Sequence, residues 1–164
     1  MKWMGALCIA GAAVWGRWQQ LSAQRRRRET LRGLIAALYQ MAEEIRVART
    51  PMPQLMACIG RSRGGAAGGQ FRRTAALLKR ECTLAEAWLS ALEGVEVSGE
   101  ALAVLRELAS GLQGDEEAVC RAILRAVGAL EWLAETEERQ RPDAERRGNA
   151  LWFSASALLV ILLL

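Results

Sequence analysis

The sequence predicts an all-α protein: an antiparallel helical bundle set between an N-terminal and a C-terminal transmembrane helix. Three observations predict it. An apolar run stands at each terminus. The segment between them is rich in Ala, Leu, Glu and Arg and poor in aromatic and β-branched residues, a helical composition. Within that segment apolar residues recur at helical spacing. The chain therefore divides into a first span over residues 1–18, a bundle over 19–147 and a second span over 148–164.

The C-terminal run from Leu151 to Leu164, LWFSASALLVILLL, carries no charge. Counted from Gly148 it just reaches the roughly 17 to 25 residues a spanning helix needs. Its nine Leu, Ile, Val and Phe residues contribute on the order of −4 kcal/mol toward insertion. The N-terminal run, Trp3 to Trp18, holds one charge, Arg17, and is built mostly of Ala and Gly, with Leu7, Ile9 and Val14 as its strong drivers. Its favourable sum is about a quarter of the tail's. A cleaved signal peptide competes for this end, because Lys2 precedes an apolar stretch and Ala10, Gly11, Ala12 form an A-x-A pattern. Cutting there leaves an apolar core of only about eight residues, so an uncleaved anchor is the better reading.

Charge sets the orientation. Arg25, Arg26, Arg27 and Arg28 follow the first span, and Arg139, Arg141, Arg146 and Arg147 precede the second. Arginine beside a span marks its cytoplasmic side, so the bundle is expected to be cytoplasmic. A nucleic-acid patch explains the four consecutive arginines less economically, because phosphate contacts need one basic face and here the charge sits at segment ends. Trp3, Trp15, Trp18 and Trp152 lie at or near the ends of the apolar runs, where amphipathic rings favour the headgroup layer. Trp88 and Trp132 fall inside the bundle and read as core.

The bundle begins with Leu31, Leu34, Ile35, Leu38, Ala42 and Ile45 on one face of a helix that Thr50, Pro51, Met52 and Pro53 bring to an end. Pro53 suits the first turn of a short second helix carrying Leu55, Met56 and Ile59. Residues 60–69, with five glycines, read as a flexible connector. Gly60 and Gly65 have the outer spacing of a phosphate-binding loop, but no Lys-Ser or Lys-Thr follows and no strand precedes. A third helix is predicted from Phe71, Ala75, Leu78, Cys82, Ala85, Trp88 and Leu92, ending near Gly94. Ser98 caps a fourth with Leu102, Leu105, Leu108 and Leu112, and Asp115 caps a fifth with Val119, Ile123, Val127, Leu130 and Leu133. Glu135, Glu137 and Glu138 precede Arg139 and Arg141, close enough for helical charge pairs. Pro142 is expected to kink or interrupt the chain before the membrane.

The residues for chemistry are mostly missing. The chain has no His, which removes the commonest general base and transition-metal ligand. Its four cysteines, Cys8, Cys58, Cys82 and Cys120, show no C-x-x-C spacing, and Cys82 and Cys120 occupy stripe positions where Cys acts as a small apolar residue. Neighbouring carboxylates, Glu43 with Glu44 and Glu116 with Glu117, do not project in parallel and read as solvated surface. No catalytic residue, cofactor site or metal site is predicted.

The helix LRGLIAALYQMAEEIRVARTPMPQLM (Leu31 to Met56), EAWLSAL (Glu86 to Leu92), LRELASGLQGDE (Leu105 to Glu116) and the terminal LLVILLL together resemble the stage III sporulation protein AB family, in that order and over nearly the whole length. The resemblance implies a cytoplasmic helical bundle like that of the type II secretion F platform protein, between two transmembrane helices. It implies a place in the mother-cell membrane facing the forespore, in a complex that links the two cells during engulfment. The implied partners are a secretion-type ATPase, similar to stage III sporulation protein AA, other membrane subunits of the complex, and further copies of the chain. Two departures stand out: the glycine-rich start usual in the last span reads Phe153, Ser154, Ala155, Ser156, and the glutamine usual after Gly114 is missing. Ser and Ala remain small enough for a related helix contact.

Two functions compete. One is a non-enzymatic platform that docks the ATPase. The other is a membrane-tethered basic adaptor that binds anionic lipid or nucleic acid, for which a formal charge of +4 is modest support. No nucleic acid is expected on the first reading.

Overall fold

The structure, a computed structural model, describes the backbone of residues 2–48, 50–80 and 82–163, and the side chains of Trp15, Trp18, Gln19 and residues 21–47, 50–80 and 82–139. Six helices occur among the described residues: α1 (Lys2–Ala48), α2 (Met52–Ser62), α3 (Gly65–Leu78), α4 (Leu84–Ala91), α5 (Gly99–Gly111) and α6 (Glu116–Leu163). The all-α class is as the composition predicts.

α1 and α6 form the spine. The Cys120 thiol points at the Ala42 carbonyl, 3.9 Å away, and Arg32 meets Glu138, so rising numbers on one helix face falling numbers on the other. The pair is antiparallel. The α2 and α3 hairpin packs on the other flank of α1, and α4 leads from α3 to α5, which returns against α6. Leu34, Leu38 and Met41 of α1, Leu55, Met56 and Ile59 of α2, Phe71, Trp88, Leu105, Ile123 and Leu130 are fully enclosed in one continuous core. The stripes read from periodicity on α1, α2, α5 and α6 are the faces that fill it.

The termini of the short helices follow local chemistry. Pro51 and Pro53 start α2, since a missing N–H does no harm in a first turn. Thr83 accepts from the Glu86 N–H at 3.3 Å while the Glu86 carboxylate accepts from the Thr83 N–H at 3.0 Å, a reciprocal capping box that opens α4. The Ser98 hydroxyl accepts from Ala101 N–H at 3.4 Å, and Asp115 Oδ1 accepts from Ala118 N–H at 2.9 Å, the two caps the sequence indicates. Gly94, at φ +87, closes the turn after α4 in a conformation that other residues avoid.

Several expectations are corrected. Residues 60–69 are not a flexible connector; only Arg63 and Gly64 lie between α2 and α3. The glycines there bring backbones together instead. A Cβ on Gly60 would lie 2.9 Å from the Arg72 nitrogen, and one on Gly68 would lie 1.9 Å from the Arg63 carbonyl oxygen. Arg72 then donates to the Gly60 carbonyl at 2.6 Å, and Arg63 to the Ala36 carbonyl at 3.2 Å, which straps the hairpin to α1. The predicted third helix is two, α3 and α4, because Thr83 caps a new helix in mid-stripe and places Cys82 in the exposed turn. Trp132 is 65% exposed and not core: two residues past buried Leu130, it sits on the opposite face of α6. Of the two outcomes expected at Pro142, a kink or an interruption, the interruption does not occur: α6 is continuous from Glu116 to Leu163.

Among the described residues no helix is long and apolar enough to cross a membrane. The two expected spans, residues 1–18 and 148–164, lie outside the residues whose side chains are described, apart from Trp15 and Trp18. Both boundaries of the expected bundle, at 18/19 and 147/148, fall inside a continuous helix.

Candidate functional site

The residues singled out by charge collect at one end of the antiparallel pair. The contact between Arg32 and Glu138 marks a common level on α1 and α6. Beyond it, Arg28 and Arg25 lie about 6 and 11 Å farther along α1, and Arg139 and Arg147 about 2 and 14 Å farther along α6, at 1.5 Å per residue. The apolar runs start beyond both blocks, at Trp18 and Gly148, about 21 and 15 Å from the same level. Two arginine blocks distant in sequence thus share one stretch of the helix pair.

Four consecutive residues in an α-helix step by 100° each and so cover its whole circumference. Arg25, Arg26 and Arg27 are exposed, and Arg28 is half-buried. They form a ring around α1 instead of a stripe on one face. Arg139 is exposed and donates to the Glu135 carboxylate at 2.7 Å, the helical pair the sequence indicates. Arg141, Arg146 and Arg147 lie on α6, with side chains outside the described residues. Glu29 is the acidic neighbour of the ring on α1, and Asp143 and Glu145 interleave the α6 block.

Below the ring, Trp15 and Trp18 are 65% and 68% exposed, their ring centroids 6.4 Å apart and the planes tilted by 58°. Large aromatics this open on a helix otherwise flanked by arginine are what a headgroup layer accommodates. Trp3 and Trp152 lie outside the described side chains. Leu21, also exposed, continues the apolar side of this segment.

The bundle body holds little that could perform chemistry. Among the described residues no group of His, Cys, Asp and Glu could hold a metal ion. Glu86 is the described carboxyl held clearly below its ordinary value, first by the Thr83 backbone N–H and then by the Thr83 hydroxyl, and both contacts belong to a helix cap. The buried polar pair Gln70 and Thr74 is structural as well: Gln70 donates to the Trp88 carbonyl at 3.3 Å and Thr74 to the Gln70 carbonyl at 3.0 Å. Sequence reasoning missed the exposed apolar side chains Tyr39, Leu124 and Trp132. The helical wheel already put Trp132 opposite Leu130, a signal that its size as an aromatic overrode.

A helical bundle on an antiparallel pair, whose two long helices leave the same end through arginine and then apolar sequence, defines a class of all-α proteins, and among the described residues no catalytic centre is recognisable. The stage III sporulation protein AB family model matches residues 2–164, and the chain belongs to that family. Its role is in sporulation. A solved structure described as stage III sporulation protein AB (SpoIIIAB) is similar at a TM-score of 0.65 and 22% identity, over 71% of this chain and 97% of that one, which shows the shared fold. No curated protein matches the chain.

Proposed function

We propose that the chain is a non-enzymatic platform subunit of a sporulation-specific, secretion-like complex in the mother-cell membrane. Its two terminal helical segments hold it in the bilayer, and its cytoplasmic bundle docks a secretion-type ATPase similar to stage III sporulation protein AA. The observation that carries this reading is the course of α1 and α6. They are antiparallel and continuous, so both apolar runs, about 26 and 24 Å of helix, leave the bundle at one end. A hydrocarbon core is about 30 Å thick, roughly 4 to 6 Å more than such segments, a mismatch that local thinning of the bilayer accommodates. Two runs at opposite ends would need a chain that threads the bundle between two membranes.

Free cysteines test the topology. Cys58 and Cys82 are exposed on the bundle and Cys120 is buried. In intact cells a membrane-impermeant maleimide should leave Cys58 and Cys82 unlabelled, and permeabilisation should expose both. Labelling before permeabilisation, or release of the chain by alkaline carbonate, would overturn the anchored cytoplasmic arrangement. For the docking role, the detergent-solubilised full chain should retain the ATPase at low and at high salt. Loss of the ATPase at every salt concentration would sink that role and leave the adaptor reading.

A further inference from the structure

We propose that Arg25 to Arg28 form a collar around α1 that binds the headgroups of anionic phospholipids. This rests on the membrane reading above and names the lipid that the anchored end selects.

The argument is geometric. A nucleic-acid duplex or a folded protein partner meets a helix on one side, and a basic site for it would place arginines three or four residues apart. Here they are consecutive, so their Cα positions ring the helix. Only a partner that surrounds the helix uses such a ring, and the headgroup layer around a membrane helix does. Depth agrees. Arg25 lies about 11 Å along α1 from Trp18, a few ångströms beyond a headgroup region of roughly 5 to 8 Å on each side of the hydrocarbon core. With Trp18 at the hydrocarbon boundary, a guanidinium on its long flexible stem reaches the phosphates.

Charge complementarity chooses the anionic lipid. From Arg17 to Arg28 α1 carries five arginines and no acidic residue. On α6 the block is weaker, because Asp143 and Glu145 offset part of it and Arg139 is engaged by Glu135. The α1 ring is therefore the main contact, with Arg25, Arg26 and Arg27 exposed and Arg28 half-buried.

The test uses the full chain reconstituted into vesicles of equal parts phosphatidylcholine and phosphatidylglycerol. After extraction in mild detergent, the lipids that remain bound are counted by mass spectrometry. The wild type should retain phosphatidylglycerol over phosphatidylcholine by about fivefold, the preference one arginine supplies near an anionic surface, or more. The variant R25Q/R26Q/R27Q/R28Q should fall to about parity, and the corresponding four-lysine variant should keep the preference. Raising salt from about 0.1 to 1 M, which shortens the screening length from about 10 to 3 Å, should reduce it. Single variants R25Q, R26Q and R27Q should each lose a similar share, because a ring has no privileged face. An unchanged lipid ratio in the quadruple glutamine variant overturns the collar. So does displacement of phosphatidylglycerol from the wild type by a short nucleic-acid duplex. Resistance of the quadruple variant to alkaline extraction shows that it is still inserted; extraction of the wild type by alkali would instead sink the membrane reading itself.

Discussion

Glycine at position 68 should be replaceable by nothing larger, and its neighbours show why the reason is packing. Alanine is the better helix former by about 0.8 to 1.0 kcal/mol, so Gly→Ala inside a helix is stabilising where space allows. At Gly68 the new Cβ would stand 1.9 Å from the Arg63 carbonyl oxygen and 2.7 Å from its carbon, both backbone atoms that no rotamer change can remove. The α2 and α3 hairpin would have to open, and overpacking of this kind costs about 1 to 3 kcal/mol, here toward the upper end. Gly68→Ala should thus destabilise by about 1 to 2 kcal/mol net. The adjacent Gly69 is different: its Cβ would meet only an Arg72 side-chain nitrogen at 3.9 Å, and at Gly128 in mid-α6 it would meet nothing within 4 Å. Those two substitutions should stabilise by up to about 1 kcal/mol. Thermal unfolding of the detergent-solubilised full chain, followed by circular dichroism at the helix band, separates the cases. At about 2 to 4 °C per kcal/mol, Gly68→Ala should melt below the wild type and the other two above it. Melting of Gly68→Ala at or above wild type, or three shifts in one direction, would refute the close approach of Gly68 to the hairpin turn.

Trp88 is fully enclosed, donates its indole N–H to the Leu105 carbonyl at 2.9 Å and packs edge-on against Phe71 with centroids 5.5 Å apart, so Trp88→Ala should cost about 3 to 5 kcal/mol. Trp132→Ala, on open surface, should stay within about 0.5 kcal/mol, and chemical denaturation should rank the two accordingly. Thr83→Ala removes the α4 cap and should cost about 1 kcal/mol, read the same way. Glu86 has its folded value lowered from 4.5, so its contribution is present above that value and fades as pH falls through the lower folded one. Glu86→Gln should therefore be less stable than wild type at neutral pH and indistinguishable from it in acid, when both side chains are uncharged. Arg32 and Glu138 are both more than half exposed, so Arg32→Ala should change stability by no more than about 1 kcal/mol, leaving the apolar stripes to hold α1 against α6.

How far the sequence could be read depended on what each residue's signal was about. Stripes such as Leu31, Leu34, Leu38, Ala42 and Ile45 report one helix's burial, and they are buried as read. Caps at Ser98 and Asp115 are equally local, needing only an oxygen and a nearby N–H. Glycine is ambiguous in a way leucine is not. In residues 60–69 it signalled either a loose connector or a place where two backbones touch, and only the partner decides: Arg72 for Gly60, Arg63 for Gly68. Thr83 and Glu86 had the capping-box spacing, but a stripe that seemed to run through them obscured it. The arginine blocks were visible as charge, whereas their common level was not, because it depends on the register of α1 against α6.

Pro142 shows how local cost and long-range continuity divide. It has no N–H for the carbonyl of residue 138, and an interior proline costs about 3 kcal/mol in an isolated helix. Yet α6 runs on to Leu163, since the lost bond is one among many and the residues N-terminal to it, from Val119 to Leu133, are pinned by the core. The loss falls at the carbonyl of the residue whose side chain meets Arg32. α6 is therefore weakest in its own ladder where α1 stands beside it, between the buried stripe and the arginine block. A break there would disconnect the apolar run from the bundle.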